Sequence, residues 1–162
     1  MKIIKSQKGL TLIELLAVLV IMGIIAAIAV PAVGKIIENN RHKATKGEAL
    51  VMLRAAQLYF VETPAINSEG KQYGREWQAA SLPDLVNQGY MESNGYLNDT
   101  AFVTNVTPAK ICASSEGKSK VTFYNATAEE IANSGHSIHV GKEACGTREG
   151  VEGPFLVPPA GN

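Results

Sequence analysis

Cysteine and tryptophan are scarce in this chain of 162 residues, with two copies and one copy respectively, and several motifs that carry chemistry are absent. There is no Cys-x-x-Cys pair, no histidine-rich ligand set and no phosphate-binding loop. The run Gly135-His136-Ser137-Ile138-His139 fails the nucleophile-elbow pattern, because His139 stands where that pattern requires glycine. The sequence therefore predicts neither an enzyme nor a metal or cofactor site.

Charge is missing from residues 15–34, an uninterrupted apolar run of twenty residues. As a helix, this run is long enough to cross a bilayer core of about 30 Å. The whole chain has 15 basic and 15 acidic residues. Loss of the first nine residues would remove Lys2, Lys5 and Lys8 and leave 12 basic against 15 acidic residues, so there is no electrostatic reason to expect nucleic-acid binding.

The basic start and the apolar run have two ordinary interpretations. A secretory signal could be cleaved at Ala27-Ile28-Ala29, but the run exceeds the usual apolar core of about 7–15 residues, and Glu14 lies where that core should be purest. A single-span anchor accounts for the length and keeps the lysines on the cytoplasmic side. It leaves Glu14 unexplained, because a carboxylate inside a membrane is costly. Composition alone favours the anchor.

A third interpretation comes from the residues around Glu14. Gly9-Leu10-Thr11-Leu12-Ile13-Glu14-Leu15-Leu16 resembles the type III signal of type IV pilins and pseudopilins, in which a short basic leader ends in glycine. The resemblance continues in register through Gly23 and Pro31. Leu10 stands where most type IVa pilins carry phenylalanine. Leucine is more usual in the type IVb class, which has longer leaders and generally lacks the proline, so both subclasses stay open.

The resemblance implies three segments: a leader peptide at residues 1–9, a transmembrane and polymerisation half of the N-terminal helix at residues 10–34, and a globular domain at residues 35–162 that includes the rest of the helix. Prepilin peptidase would cleave between Gly9 and Leu10 and N-methylate Leu10. The new amine would then be the cationic partner of a neighbouring subunit's Glu14, since a carboxylate among apolar helices needs one.

Gly23 and Pro31 weaken the apolar helix at two points. Proline has no N–H for the carbonyl four residues earlier, and glycine lowers helix propensity. Similar pilins unwind locally between these positions in a filament, so we expect the same of this helix after extraction from lipid.

Beyond residue 34 the pattern predicts a continuing helix with one apolar stripe, strongest from Ala49 to Phe60, that ends at about Glu62 before Pro64. Its charged residues, Lys46 and Glu48 among them, are expected on the opposite face, which is either a solvated surface or a surface that pairs between subunits.

Short elements follow this helix. Ser81 is a predicted N-cap with Gly89 as the helix stop, and Thr127 with Glu130 forms a predicted capping box. Alternation predicts strands around Phe102, around residues 109–113, around Phe123 and around Val140, in a small antiparallel sheet with one face on a core. The pattern and the resemblance agree on an α+β protein with the pilin fold, in which a long N-terminal helix packs on the sheet.

Cys112 and Cys145 are the two cysteines, in the region that would be exported. An even count in an oxidising compartment favours a disulfide between them.

The implied function is that of a structural subunit, membrane-inserted as a prepilin and found in an extracellular or periplasmic filament once assembled. Its implied partners are other pilin subunits, prepilin peptidase, a membrane assembly platform with its ATPase, and nucleic acid only in a DNA-uptake pilus. Major pilin, minor pilin and pseudopilin stay open, as do roles in adhesion, motility, secretion and DNA uptake. The alternative is a single-span, membrane-anchored extracytoplasmic binding domain that does not polymerise.

Overall fold

The computed structural model describes residues 12–63, 78–117 and 120–145. The elements along the chain are α1 (Leu12–Glu62), β1 (Ala79–Ser81), α2 (Leu82–Asn87), β2 (Phe102–Thr104), β3 (Lys110–Ser114), β4 (Thr122–Thr127), α3 (Ala128–Asn133) and β5 (His139–Val140). This is the predicted α+β pilin fold, with a long N-terminal helix and a small sheet. The chain divides into two compact units, Met1–Glu38 and Asn39–Asn162, and the boundary falls inside α1.

In the second unit, α1 packs one face on the core and ends where the sequence predicts. Its buried apolar residues include Ala49, Met52, Leu53 and Ala56, which recur at the three- and four-residue spacing of one helix face. Complete burial of a side chain as large as that of Met52 contributes about 1.5–3 kcal/mol to stability. The helix ends at Glu62, as predicted from the proline two residues later.

The sheet has the strand order β1-β2-β3-β4-β5, and its first four strands form an antiparallel meander. The predicted antiparallel arrangement is thus confirmed for β1 to β4. The fifth strand differs, because β5 pairs with β4 in parallel, with Phe123 opposite Val140. A parallel return needs a crossover connection, and α3 lies in the segment that connects these two strands.

Both faces of the sheet are covered by buried residues, whereas the sequence pattern predicted that one face would be covered. Val103, Ile111 and Phe123 belong to the core cluster that includes the buried face of α1. On the other face, Phe102, Cys112 and Cys145 form a second, separate cluster. The second cluster forms because the last part of the described chain returns to the sheet. No local sequence pattern predicts this return.

The two short helices begin at the caps that the sequence predicts. The Ser81 hydroxyl accepts a hydrogen bond from Asp84 N at 3.2 Å, and Gly89 follows α2 in the left-handed conformation, with φ +81°. The Thr127 and Glu130 side chains each bond the other residue's backbone N–H, which is a complete capping box at the start of α3.

Candidate functional site

The predicted cleavage junction, Gly9 and Leu10, lies outside the described residues. Leu12 is the first described residue and the first residue of α1. Glu14 lies in the first turn of α1 and its side chain is exposed. An acidic residue at this end of a helix is favourably placed, because the helix dipole is positive there.

The described part of the first unit, residues 12–38, is an exposed helix, and its run from residue 15 to residue 34 is apolar on every side. Each residue from 12 to 38 is exposed, including large side chains such as Leu12 (83%) and Ile28 (71%). Among the described residues, α1 is the one helix long and apolar enough to cross a membrane by length and composition. A helix that is apolar on every side needs lipid or other helices around it, because water leaves that surface unstable.

Gly23 and Pro31 lie within continuous α-helix in this structure. A Cβ added at Gly23 would meet no atom within 4 Å, so nothing in the described chain requires glycine there. The predicted unwinding between Gly23 and Pro31 concerns the packed filament and stays a prediction.

Lys46 departs from its expected place on the face of α1 opposite the apolar stripe. Its exposed fraction is 7%, and its ammonium group donates a hydrogen bond to the Gly135 carbonyl at 2.9 Å, just beyond α3. Burial lowers the pKa of Lys46 below its ordinary value, because removal from water disfavours the charged form. The side chain therefore ties α1 to the loop between α3 and β5.

Glu48 ties α1 to a second loop. Its carboxylate accepts a hydrogen bond from the backbone N–H of Tyr96 at 2.6 Å. The neighbouring Gly95 has φ +58°, and an added Cβ would lie 2.5 Å from the Glu48 carboxylate. This loop thus favours glycine for its conformation, and a side chain there would displace the Glu48 carboxylate. Neither Lys46 nor Glu48 was identified from sequence as a structural residue, since their partners lie in distant loops.

The predicted disulfide between Cys112 and Cys145 is present. The two Cα atoms are 5.9 Å apart, a normal separation for a disulfide, and both cysteines are completely buried. Cys112 lies in β3, while Cys145 lies beyond β5, so the bond fixes the C-terminal part of the described chain to the sheet.

Histidines and acids are dispersed in the structure. Residues 12–63, 78–117 and 120–145 contain no group of three or more His, Cys, Asp or Glu side chains arranged to hold a metal ion. His139 lies in β5 with Nδ1 3.3 Å from the Tyr124 hydroxyl, and Glu143 forms an ion pair with Lys110. These contacts indicate structural roles for the side chains concerned.

Comparison with known proteins gives two matches. The family model for the prokaryotic N-terminal methylation motif matches residues 4–30. The chain is also similar to the type IV major alpha-pilin of Moraxella bovis, with 41% identity over 66 residues. That alignment covers 40% of this chain and 42% of the relative, so it spans less than half of either protein. No solved structure gives a significant match to the chain.

The matched motif includes Gly9, Glu14 and Gly23. In the structure, most of this segment belongs to the apolar part of α1. A signal and helix of this kind fit a precursor anchored in a membrane and an assembled extracellular pilus. Both matches point the same way: over its N-terminal part, the chain is similar to type IV pilins.

Proposed function

We propose that this protein is a structural subunit of a type IV pilus or a pilus-like filament. It enters the membrane as a prepilin, is cleaved after Gly9, and polymerises through the first part of α1. The observation that carries the proposal is the exposed apolar run of α1, residues 15–34, which follows Glu14 in the first turn of that helix. Lipid can cover that surface in the precursor, and helices of other subunits can cover it in the filament.

The partners follow from this life cycle. Other subunits of the same kind contact the apolar helix, and prepilin peptidase acts on Gly9 and Leu10. A membrane assembly platform with its ATPase supplies the energy for assembly, because the sequence contains no nucleotide-binding motif. The protein itself has a structural role and no catalytic one. Surface loops of the second unit select among adhesion, motility, secretion and DNA uptake.

The mature N-terminus provides the most direct test of processing. Protein purified from the native envelope should begin with N-methylated Leu10, which mass spectrometry of the N-terminal peptide detects. A chain that still begins with Met1 would instead support the non-polymerising membrane anchor. Cleavage after Ala29 would support a secretory signal and a soluble product.

The Gly23 to Pro31 interval has its own expected result. In a density map of isolated filaments, backbone hydrogen bonding should be interrupted between these two residues, because proline removes one bond and glycine lowers helix propensity. The isolated chain is helical throughout this interval, which makes it the reference state. A filament map with unbroken helix from residue 23 to residue 31 would contradict the prediction.

A further inference from the structure

The last described residues of the second unit are held on the sheet by more than the disulfide. Residues 141–145, which we call the strap, begin at Gly141, which has φ +90°. A Cβ added there would lie 2.1 Å from the Tyr124 carbonyl oxygen, so the strap passes β4 at a distance that glycine alone permits. Further along, Glu143 forms an ion pair with Lys110 of β3 at 2.5 Å.

Asn125 occupies an irregular position in β4, directly beside the strap. Ile111 pairs with Ala126 and Ala113 pairs with Phe123, so two residues of β4, Tyr124 and Asn125, stand opposite Cys112 alone. This is a β-bulge, and Asn125 adopts the left-handed conformation in it, with φ +46°. Asparagine tolerates that conformation better than most residues with a side chain.

The Asn125 amide contacts the surroundings of both cysteines. Its Nδ2 donates a hydrogen bond to the Ala144 carbonyl at 2.7 Å, one residue before Cys145. Its Oδ1 lies 3.2 Å from Cys112 Sγ. One side chain thus connects the strand that carries the first cysteine to the strap that carries the second.

We propose that Asn125 is a positioning residue for disulfide closure, which docks the strap on β4 before the two sulfurs bond. In closure, the thiols of Cys112 and Cys145 each lose a proton, one S–S bond forms, and two electrons reduce an external disulfide to two thiols. Asn125 takes no part in that electron transfer. It raises the fraction of reduced molecules in which the two thiols are adjacent.

The size of the effect follows from a population argument. The apparent equilibrium constant for closure is the intrinsic constant multiplied by the fraction of reduced molecules with a docked strap. Loss of one typical hydrogen bond lowers the docking constant about five-fold, and closure falls by up to the same factor. A contact that merely stabilised the reduced and oxidised forms equally would leave the closure constant unchanged. Closure is a property of the second unit and is independent of polymerisation.

The first experiment measures closure directly. The full chain in detergent is equilibrated with reduced and oxidised glutathione, and the closed fraction is determined by thiol alkylation and mass spectrometry. Asn125→Gly keeps the left-handed backbone accessible and removes the amide, so its closure constant should fall by up to about five-fold. The matched control is Asn105→Ala, which removes an amide that donates to Gln78 Oε1 at 2.9 Å and not to a residue of the strap. The control should close like the wild type.

A second experiment measures docking without the disulfide. In a Cys112→Ala/Cys145→Ala background, trypsin cleavage after Lys142, within the strap, should accelerate about five-fold when Asn125→Gly is added, and should not change with Asn105→Ala. Equal closure constants and equal cleavage rates for Asn125→Gly and the wild type would overturn the proposal. An equal loss in both asparagine variants would also overturn it, because the effect would then be a general one on stability.

Discussion

Replacement of Glu14 by alanine is expected to leave cleavage after Gly9 largely intact and to abolish filament formation. The peptidase would still meet the same leader and the same junction. In the packed filament, however, the methylated amine of Leu10 would lose the carboxylate that we propose as its partner. Removal of one member of a buried ion pair costs about 3–5 kcal/mol, which lowers the association constant for each added subunit more than a hundredfold.

The same pairing would also set the axial register between subunits. A slip of one helical turn, about 5.4 Å, would separate Glu14 from the amine and leave two buried charges without partners. Glu14→Gln should therefore be as defective as Glu14→Ala, although it preserves the shape of the side chain. The matched control is Glu38→Ala, which removes an exposed carboxylate from the same helix beyond the apolar run.

Filament yield is measured by shearing and electron microscopy, and processing is measured by the mass of the N-terminal peptide. Normal filaments from Glu14→Gln would exclude charge pairing as the basis of assembly. Loss of cleavage in Glu14→Ala would place the residue in peptidase recognition instead. Loss of filaments in Glu38→Ala would show that any change of charge on α1 blocks assembly.

The parts of the fold that sequence predicts are those set by local chemistry. The end of α1 at Glu62 follows from a nearby proline, and the starts of α2 and α3 follow from Ser81 and Thr127 as N-caps. Each signal acts within a few residues of its effect. The disulfide between Cys112 and Cys145 was predictable for a different reason, since a chain with two cysteines allows a single intramolecular pairing.

The parts that sequence does not predict depend on distant partners. Lys46 lies in a stretch of mixed charges and has the pattern of a solvated residue, but its carbonyl partner on Gly135 is 89 residues away. Strand β1 has only three residues, Ala79–Ser81, and lacks the β-branched side chains that indicate a strand. The bulge at Asn125 has no signal in the sequence beyond the presence of an asparagine.

The same limit applies to the candidate site. Gly9, Leu10, Glu14, Gly23 and Pro31 were identified because they form one contiguous motif with fixed offsets. The roles that we propose for them, by contrast, depend on neighbouring chains in a filament. A single chain can show that the helix surface is exposed and apolar, and the filament experiments above are needed to show what covers it.

Removal of the disulfide is expected to cost the second unit about 4 kcal/mol of stability. The bond joins residues 33 apart in sequence, and closure of a loop of that length removes this much conformational entropy from the unfolded chain. The double variant Cys112→Ala/Cys145→Ala is preferred to serine replacements, because serine would bury two new hydroxyl groups in the cluster with Phe102. Its free energy of unfolding, measured by urea denaturation and circular dichroism, should fall by the stated amount.

Chemically reduced wild-type protein is the matched control for the cysteine variant. It keeps both sulfur atoms, so a loss shared by the two proteins is due to the missing cross-link and not to lost side-chain volume. The helix signal from the first unit should stay constant while the second unit unfolds, because the apolar run remains in detergent. A fall in the free energy of unfolding below about 1 kcal/mol in both proteins would contradict the loop-entropy account. It would mean that the contacts of the strap at Gly141, Asn125 and Glu143 persist in the unfolded chain and already restrict it.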